Sequence, residues 1–261
     1  GALSNWKGLA YPETGFTATH STFLARRGIT GPPEVFEGNK GYMHSIAGEF
    51  DLDWSADDLE RVTRTSIKKY NAEFHSQSTL EAALAIKREE GIDPHVIDRI
   101  EIDTFDVAYH IIGGGEEGDK TVVREKEEAD HSLPYMTAVA LLDDQGLPAQ
   151  YASDRIAADD VQSLLQKVEI RENEDYSAAF PDKMPCDVRI HVGDTVYGTH
   201  REDFEGFHTN PMAWDTVAEK FSRLAEPHTD AALRSDMVDA VDELETLPVH
   251  ELTDLLAAVE R

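Results

Sequence analysis

Cysteine is nearly absent: Cys186 is the single one in 261 residues. That excludes a disulfide framework, and it excludes an iron–sulfur or zinc centre built from several local thiolates. Cys186 itself reads as a small buried hydrophobe near the start of a strand. Basic residues are scarce. Lys and Arg total 24, only ten of them Lys, against 52 Asp plus Glu, for a formal net charge of −28. Such a surface repels nucleic acid and anionic lipid, so neither is expected as a partner. The acids are spread through every segment rather than gathered in one disordered tail. The balance resembles that of proteins from salt-loving organisms; an ordinary acidic cytosolic protein is the alternative. No apolar run approaches the roughly 20 residues of a membrane helix, and a cytoplasmic location is expected. The glycine-led stretch "GGGEEGDK" (113–120) lacks the GxxxxGK[ST] order and puts three acids where phosphate would sit. The 11 histidines show no HExxH pair or other tight metal spacing, so no metal is expected. The sequence opens at Gly1 with neither Met nor a signal peptide, which reads as a processed chain or the C-terminal piece of a longer one.

What is present is enough for a core, with 40% of residues hydrophobic and a length suited to one large domain or two smaller ones. "TATHSTFLARRG" (17–28) reads as a helix stopped by Gly28, followed by a Gly/Pro-rich loop region. "SADDLERVTRTSIKKY" (55–70) opens with Ser55 and Asp58 at capping-box-like spacing, predicting a short helix. From about Gln77 to Glu90 the apolar side of Leu80, Ala83, Leu84 and Ala85, ended by Gly91, predicts another. "VIDRIEIDTFDVAYHII" alternates at Ile100, Ile102 and Thr104 as a strand does, with Tyr109 at its end. "SLPYMTAVALLDD" reads as a helix with Pro134 in its first turn. "LLQKVEIRENED" and "CDVRIHVGDTVYGTHRED" read as strands, the second a hairpin turning at Gly193–Asp194. Helical stretches at 211–225, 229–245 and 248–260 close the chain. This order predicts an α+β protein: a discontinuous helical domain with an inserted α+β domain.

The unusual chemistry lies in "KKYNAEFHSQ". Glu73, His75 and Gln77 alternate, with Lys68 and Lys69 just upstream. If 73–77 is extended, the three side chains share one face ahead of a helix N-terminus whose free N–H groups favour anions. A lysine, an imidazole and a helix end suit a polycarboxylate, and the imidazole is able to move a proton near neutral pH. A solvated polar loop that caps the helix is the plainer reading. Lys7 alone is an ordinary exposed lysine, Tyr109 an ordinary core tyrosine, and His131 in "ADHSLPY" belongs to a helix-capping region.

Five stretches, in order, resemble blocks of the MmgE/PrpD family: "WKGLA…FLARRGITGPPEVFEG", "KKYNAEFHSQSTLEAAL", "IEIDTFDVAY", "EADHSLPYMTAVALLDD" and "GFHTNPMAWDTVAEKF". Together they span about residues 1–225. The family includes 2-methylcitrate dehydratase, cis-aconitate decarboxylase and iminodisuccinate epimerase. The resemblance implies a large helical domain with a smaller α+β lid, often as a homodimer. It assigns 62–200 to the lid, and 1–61 and 201–261 to a helical domain whose N-terminal part is missing here. It implies an active site between the domains for small di- or tricarboxylates, without a required metal or cofactor. Lys7 is similar to a family active-site lysine. Lys68 matches the lysine before the junction, with Lys69 one residue away as an ambiguity. Tyr109 matches a tyrosine at the end of the lid strand. The decarboxylase branch has a histidine where this chain has Glu73. "AEFHSQ" resembles the dehydratase branch instead, which moves the proton-transfer role to His75. The expected catalytic set is therefore Lys7, Lys68, His75 and Tyr109, with Lys69, Glu73, Gln77 and His131 binding substrate. The expected reaction is dehydration of 2-methylcitrate in propionate catabolism. Decarboxylation or epimerisation within the family, and a catalytically incomplete fragment serving as a structural partner, are the alternatives. The family's upstream Asp- and His-bearing segments are absent, so a further chain supplying them is an expected partner.

Overall fold

The computed structural model describes residues 5–51, 53, 55 and 58–259. The chain divides into two compact units, residues 1–64 and 65–261.

The first unit contains a 3-10 turn at Asn5–Leu9, helix α1 (Ala10–Arg26) and a π-turn at Met43–Ala47. Gly28, in the left-handed region at φ 91°, follows the end of α1, as expected of the stop signal. The helix begins seven residues earlier than its sequence signature, and it buries none of its residues. Tyr11, Phe16, Phe23 and Leu24 are all exposed, so the described part of this unit holds no apolar core of its own. The helix expected over 55–70 shrinks to one 3-10 turn, Arg61–Arg64. Leu59 at φ 61° breaks any helical path before it, and Ser55 turns its hydroxyl back to Asp53 rather than capping forward. Ala56 and Asp57 of that expected helix, and Glu260 at the end of the last expected one, lie outside the described residues.

The second unit is built on a four-stranded mixed sheet in the order β2-β1-β3-β4. In chain order it comprises α2 (Gln77–Glu90), β1 (Arg99–Thr104), α3 (Asp106–Ile112), α4 (Lys126–Ala129) and α5 (Leu133–Asp143). Next come α6 (Ser153–Ile156), α7 (Asp159–Leu165), β2 (Val168–Glu172), α8 (Glu174–Ala179), β3 (Cys186–Val192) and β4 (Thr195–Arg201). The chain then continues through α9 (Trp214–Ala225), α10 (Ala231–Asp242) and α11 (Val249–Ala257). β1 runs parallel to β2 and antiparallel to β3, and β3 and β4 form the expected hairpin. Ile100, Ile102 and Thr104 of β1 and Cys186, Val188 and Ile190 of β3 are fully buried, and α2 packs against β3 and β4. Helix α5 is the most buried element, apolar all round, and it packs on α2 and α7. Ser132 caps it, and its hydroxyl donates to the Lys120 carbonyl.

Two expectations are corrected. The strand containing Ile100 and Ile102 stops at Thr104, and the following "DVAYHII" is helix α3, so Tyr109 sits in a helix rather than at a strand end. Residues 73–77 are not extended. Phe74–Ser76 form a 3-10 turn that runs straight into α2, which removes the two-residue alternation of Glu73, His75 and Gln77.

The alternate residues of the sheet carry charge. Glu101 is only 9% exposed, with Arg189 Nε at 3.1 Å, His191 Nε2 at 3.2 Å, Arg99 at 3.2 Å and Arg171 at 3.3 Å. The hydrogen bond from Arg189, joined by His191 and working against burial, lowers its carboxyl from an ordinary 4.5 to about 2. The folded state therefore holds fewer protons than the unfolded chain in acid. The resulting stability is present above pH 4.5 and is lost as pH falls towards 2. Glu101→Gln is expected to lower stability at neutral pH and to flatten the acid limb of the stability profile, as read by urea unfolding at stepped pH. An unchanged acid limb would refute the assignment.

Candidate functional site

The 3-10 turn before α2 brings its carboxylate and imidazole together by local geometry. Glu73 sits at the turn's N-cap, and its Oε2 accepts from the His75 main-chain N–H at 2.7 Å. That closes the turn and leaves Oε1 2.8 Å from His75 Nδ1. Both side chains are largely out of water, 12% exposed for Glu73 and 16% for His75. Burial alone would raise the Glu73 carboxyl, but contact with His75, helped by nearby His131, holds it below its usual range. Glu73 is thus a carboxylate within ion-pair distance of the His75 imidazole, although the Nδ1–Oε1 approach is not aligned as a hydrogen bond.

Aromatic rings enclose the imidazole. Phe74, Phe105 and Phe180 stand edge-on to it at 5.9, 5.7 and 5.6 Å, and Phe105 and Phe180 stack at 4.7 Å. Phe105 arrives from the β1–α3 junction and Phe180 from the end of α8, so the enclosure joins segments far apart in the chain. α3, the helix of Tyr109, packs on the same 74–76 turn. Tyr109 is half-buried, its ring 5.3 Å from that of His110.

Ahead of α5, His131 Nδ1 lies 2.6 Å from Asp130 Oδ1, and Lys126 holds the second Asp130 oxygen at 2.9 Å. Burial pushes the Asp130 carboxyl up, yet the bonds from His131 and Lys126 overcome this and hold it low. Lys68 bends back to donate its ammonium to the Ala72 carbonyl at 2.8 Å, one residue before Glu73.

The other expected residues are placed differently. Lys69 points away into ion pairs with Glu205 at 2.5 Å and Glu81 at 3.9 Å. Gln77 is fully buried, and its amide bonds the Tyr70 main chain on both sides, accepting at 2.9 Å and donating at 3.2 Å. Lys7 lies in the 3-10 turn of the first unit. Sequence reasoning missed Asp130, Phe105 and Phe180. Asp130 was open to detection, since an acid directly before a histidine is a local partner for it. Phe180 gave no signal, because its approach depends on the fold bringing α8 beside α3. No group of three or more His, Cys, Asp or Glu suited to a metal occurs among the described residues. No helix there is long and apolar enough to cross a membrane.

The family model described as MmgE/PrpD C-terminal domain matches residues 70–244. The cis-aconitate decarboxylase of Mus musculus is 24% identical over 243 residues, which cover 87% of this chain and 47% of that relative. The chain thus spans about half the length of the curated relative it matches.

Proposed function

The chain belongs to the MmgE/PrpD family, and from that membership we propose that it forms the C-terminal part of a lyase acting on a small tricarboxylate, with dehydration of 2-methylcitrate as its reaction. The observation that carries the reading is the Glu73–His75 pair inside its aromatic enclosure. With Nδ1 facing the Glu73 carboxylate, Nε2 is assigned as the atom that exchanges a proton with substrate. In the elimination, Nε2 takes the proton from the carbon next to a carboxylate. The electron pair of that C–H bond becomes the new double bond, and the hydroxyl leaves as water after protonation by a neighbouring acid. Glu73 stabilises the imidazolium that forms. Lys68 supplies positive charge for a substrate carboxylate and for the charge that builds on it in the transition state. Tyr109 and His131 are the candidates for the protonating acid. The remaining catalytic groups come from a region upstream of this chain or from a partner chain, and the assembly is proposed as a cytoplasmic homodimer working in propionate catabolism.

A second reading, decarboxylation of cis-aconitate, has the 24% identical mouse relative in its favour. Here a carbon–carbon bond breaks, carbon dioxide leaves, and the carbanion takes a proton from the same imidazole. The two are separated by incubating the complete enzyme, in high salt, with each acid. Dehydration raises ultraviolet absorbance as the conjugated double bond forms and releases no carbon dioxide. Decarboxylation releases carbon dioxide from cis-aconitate and leaves 2-methylcitrate untouched. The expected result is the first, and activity on cis-aconitate alone would overturn it.

A further inference from the structure

A cavity of about 400 Å3 opens between the 69–70 segment, the end of α2, the loop after α5 and helix α9. Its lining includes four cations, Lys69, Arg88, Lys220 and Arg223. In a chain where acids outnumber bases 52 to 24, that concentration needs a reason. Three carboxylates also line it, but two are already committed. Asp144 pairs with Lys87 at 2.8 Å, and Glu205 with Lys69 at 2.5 Å. The third, Glu219, is exposed. The remaining cations are held by neutral oxygens instead. Arg88 donates to the Asp144 carbonyl at 3.1 Å, Arg223 to the Gln145 side-chain oxygen at 2.6 Å, and Lys220 to the Lys68 carbonyl. Among the described residues, none of these three has a carboxylate within ion-pair distance. They are therefore oriented without being neutralised, and after pairing the cavity retains three cations against one solvent-facing acid. Tyr70, Leu147 and Met212 give it apolar wall. Partial burial of Lys220, with Lys68 close by, lowers its affinity for its own proton, the cost of holding positive charge there without a counter-ion.

We propose that this cavity is a binding site for a small polyanion, a di- or tricarboxylate or a phosphate, separate from the Glu73–His75 pair. Guanidinium forks, and an ammonium group beside them, that present directed N–H donors suit such anions. The site does not depend on the lyase reading, since it needs no reaction to occur.

The test is calorimetric titration of the chain with inorganic phosphate, pyrophosphate and citrate, at the lowest salt in which circular dichroism shows it folded. At least one anion is expected to saturate, and which one does so separates the phosphate from the carboxylate class. Lys220→Gln with Arg223→Gln is expected to weaken that binding about tenfold or more. Arg88→Gln alone serves as the second variant if the double change damages the fold. His75→Asn is expected to leave the affinity within about twofold. Absence of saturable binding for all three anions would overturn the proposal. So would binding that responds to His75→Asn and ignores the changes at Lys220, Arg223 and Arg88.

Discussion

Replacing His75 by Asn is expected to lower kcat of the complete enzyme by about a thousandfold, within the 10²–10⁴ range of a positioned proton-transfer group. Asparagine keeps a polar side chain beside Glu73 but has no titrating nitrogen. The local structure should survive the change, because the turn is closed by the main-chain N–H of residue 75 bonding to Glu73, and any residue there supplies that N–H. A fall in kcat with an unchanged urea midpoint is therefore the expected signature. Glu73→Gln gives the companion result. It retains an acceptor for the same N–H and removes the negative charge beside the imidazole, so activity is expected to fall less, by about ten- to a hundredfold. If His75→Asn retains full activity in the complete enzyme, proton transfer belongs to another residue and the proposed mechanism fails.

The parts of this arrangement visible in the sequence are those fixed by short-range rules. Helix α2 was legible because Leu80, Ala83 and Leu84 recur at helical spacing and Gly91 supplies the left-handed cap, at φ 64°. The hairpin turn at Gly193 was legible for a similar reason. Helix α3 was not. Its β-branched Val107, Ile111 and Ile112 continue a strand-like composition, and only packing of α3 on the 74–76 turn and on α8 decides for helix. The different placement of Lys68 and Lys69 was equally closed to local reasoning. Neighbours in sequence, they are separated by Glu205, 136 positions from Lys69, which draws it into an ion pair. The aromatic enclosure of His75 is assembled the same way, from the ends of β1 and α8, and no spacing rule encodes it.

Gln77→Leu is expected to destabilise the second unit by about 2–4 kcal/mol, although the substitution preserves size and adds apolar surface. Gln77 alternates with Glu73 and His75 in the sequence, a pattern that suggests a substrate contact, but the fold uses it otherwise. Its side-chain oxygen accepts the Tyr70 N–H at 2.9 Å, and its amide donates to the Tyr70 carbonyl at 3.2 Å and towards the Glu73 carbonyl at 3.5 Å. One amide thus mimics a strand partner for the Tyr70 main chain. Leucine leaves the Tyr70 N–H and carbonyl without their buried partner, at roughly 1–3 kcal/mol each, and the gain from burying its methyl groups offsets only part of that. The same bonds tie the start of the 70–77 segment to α2, so loosening them also shifts Glu73 and His75 from their geometry. The expected result is a lower urea midpoint with an unchanged slope, together with a fall in kcat that exceeds any rise in KM. A variant of undiminished stability whose KM alone rises would return Gln77 to the role its spacing suggests, as a direct contact to substrate.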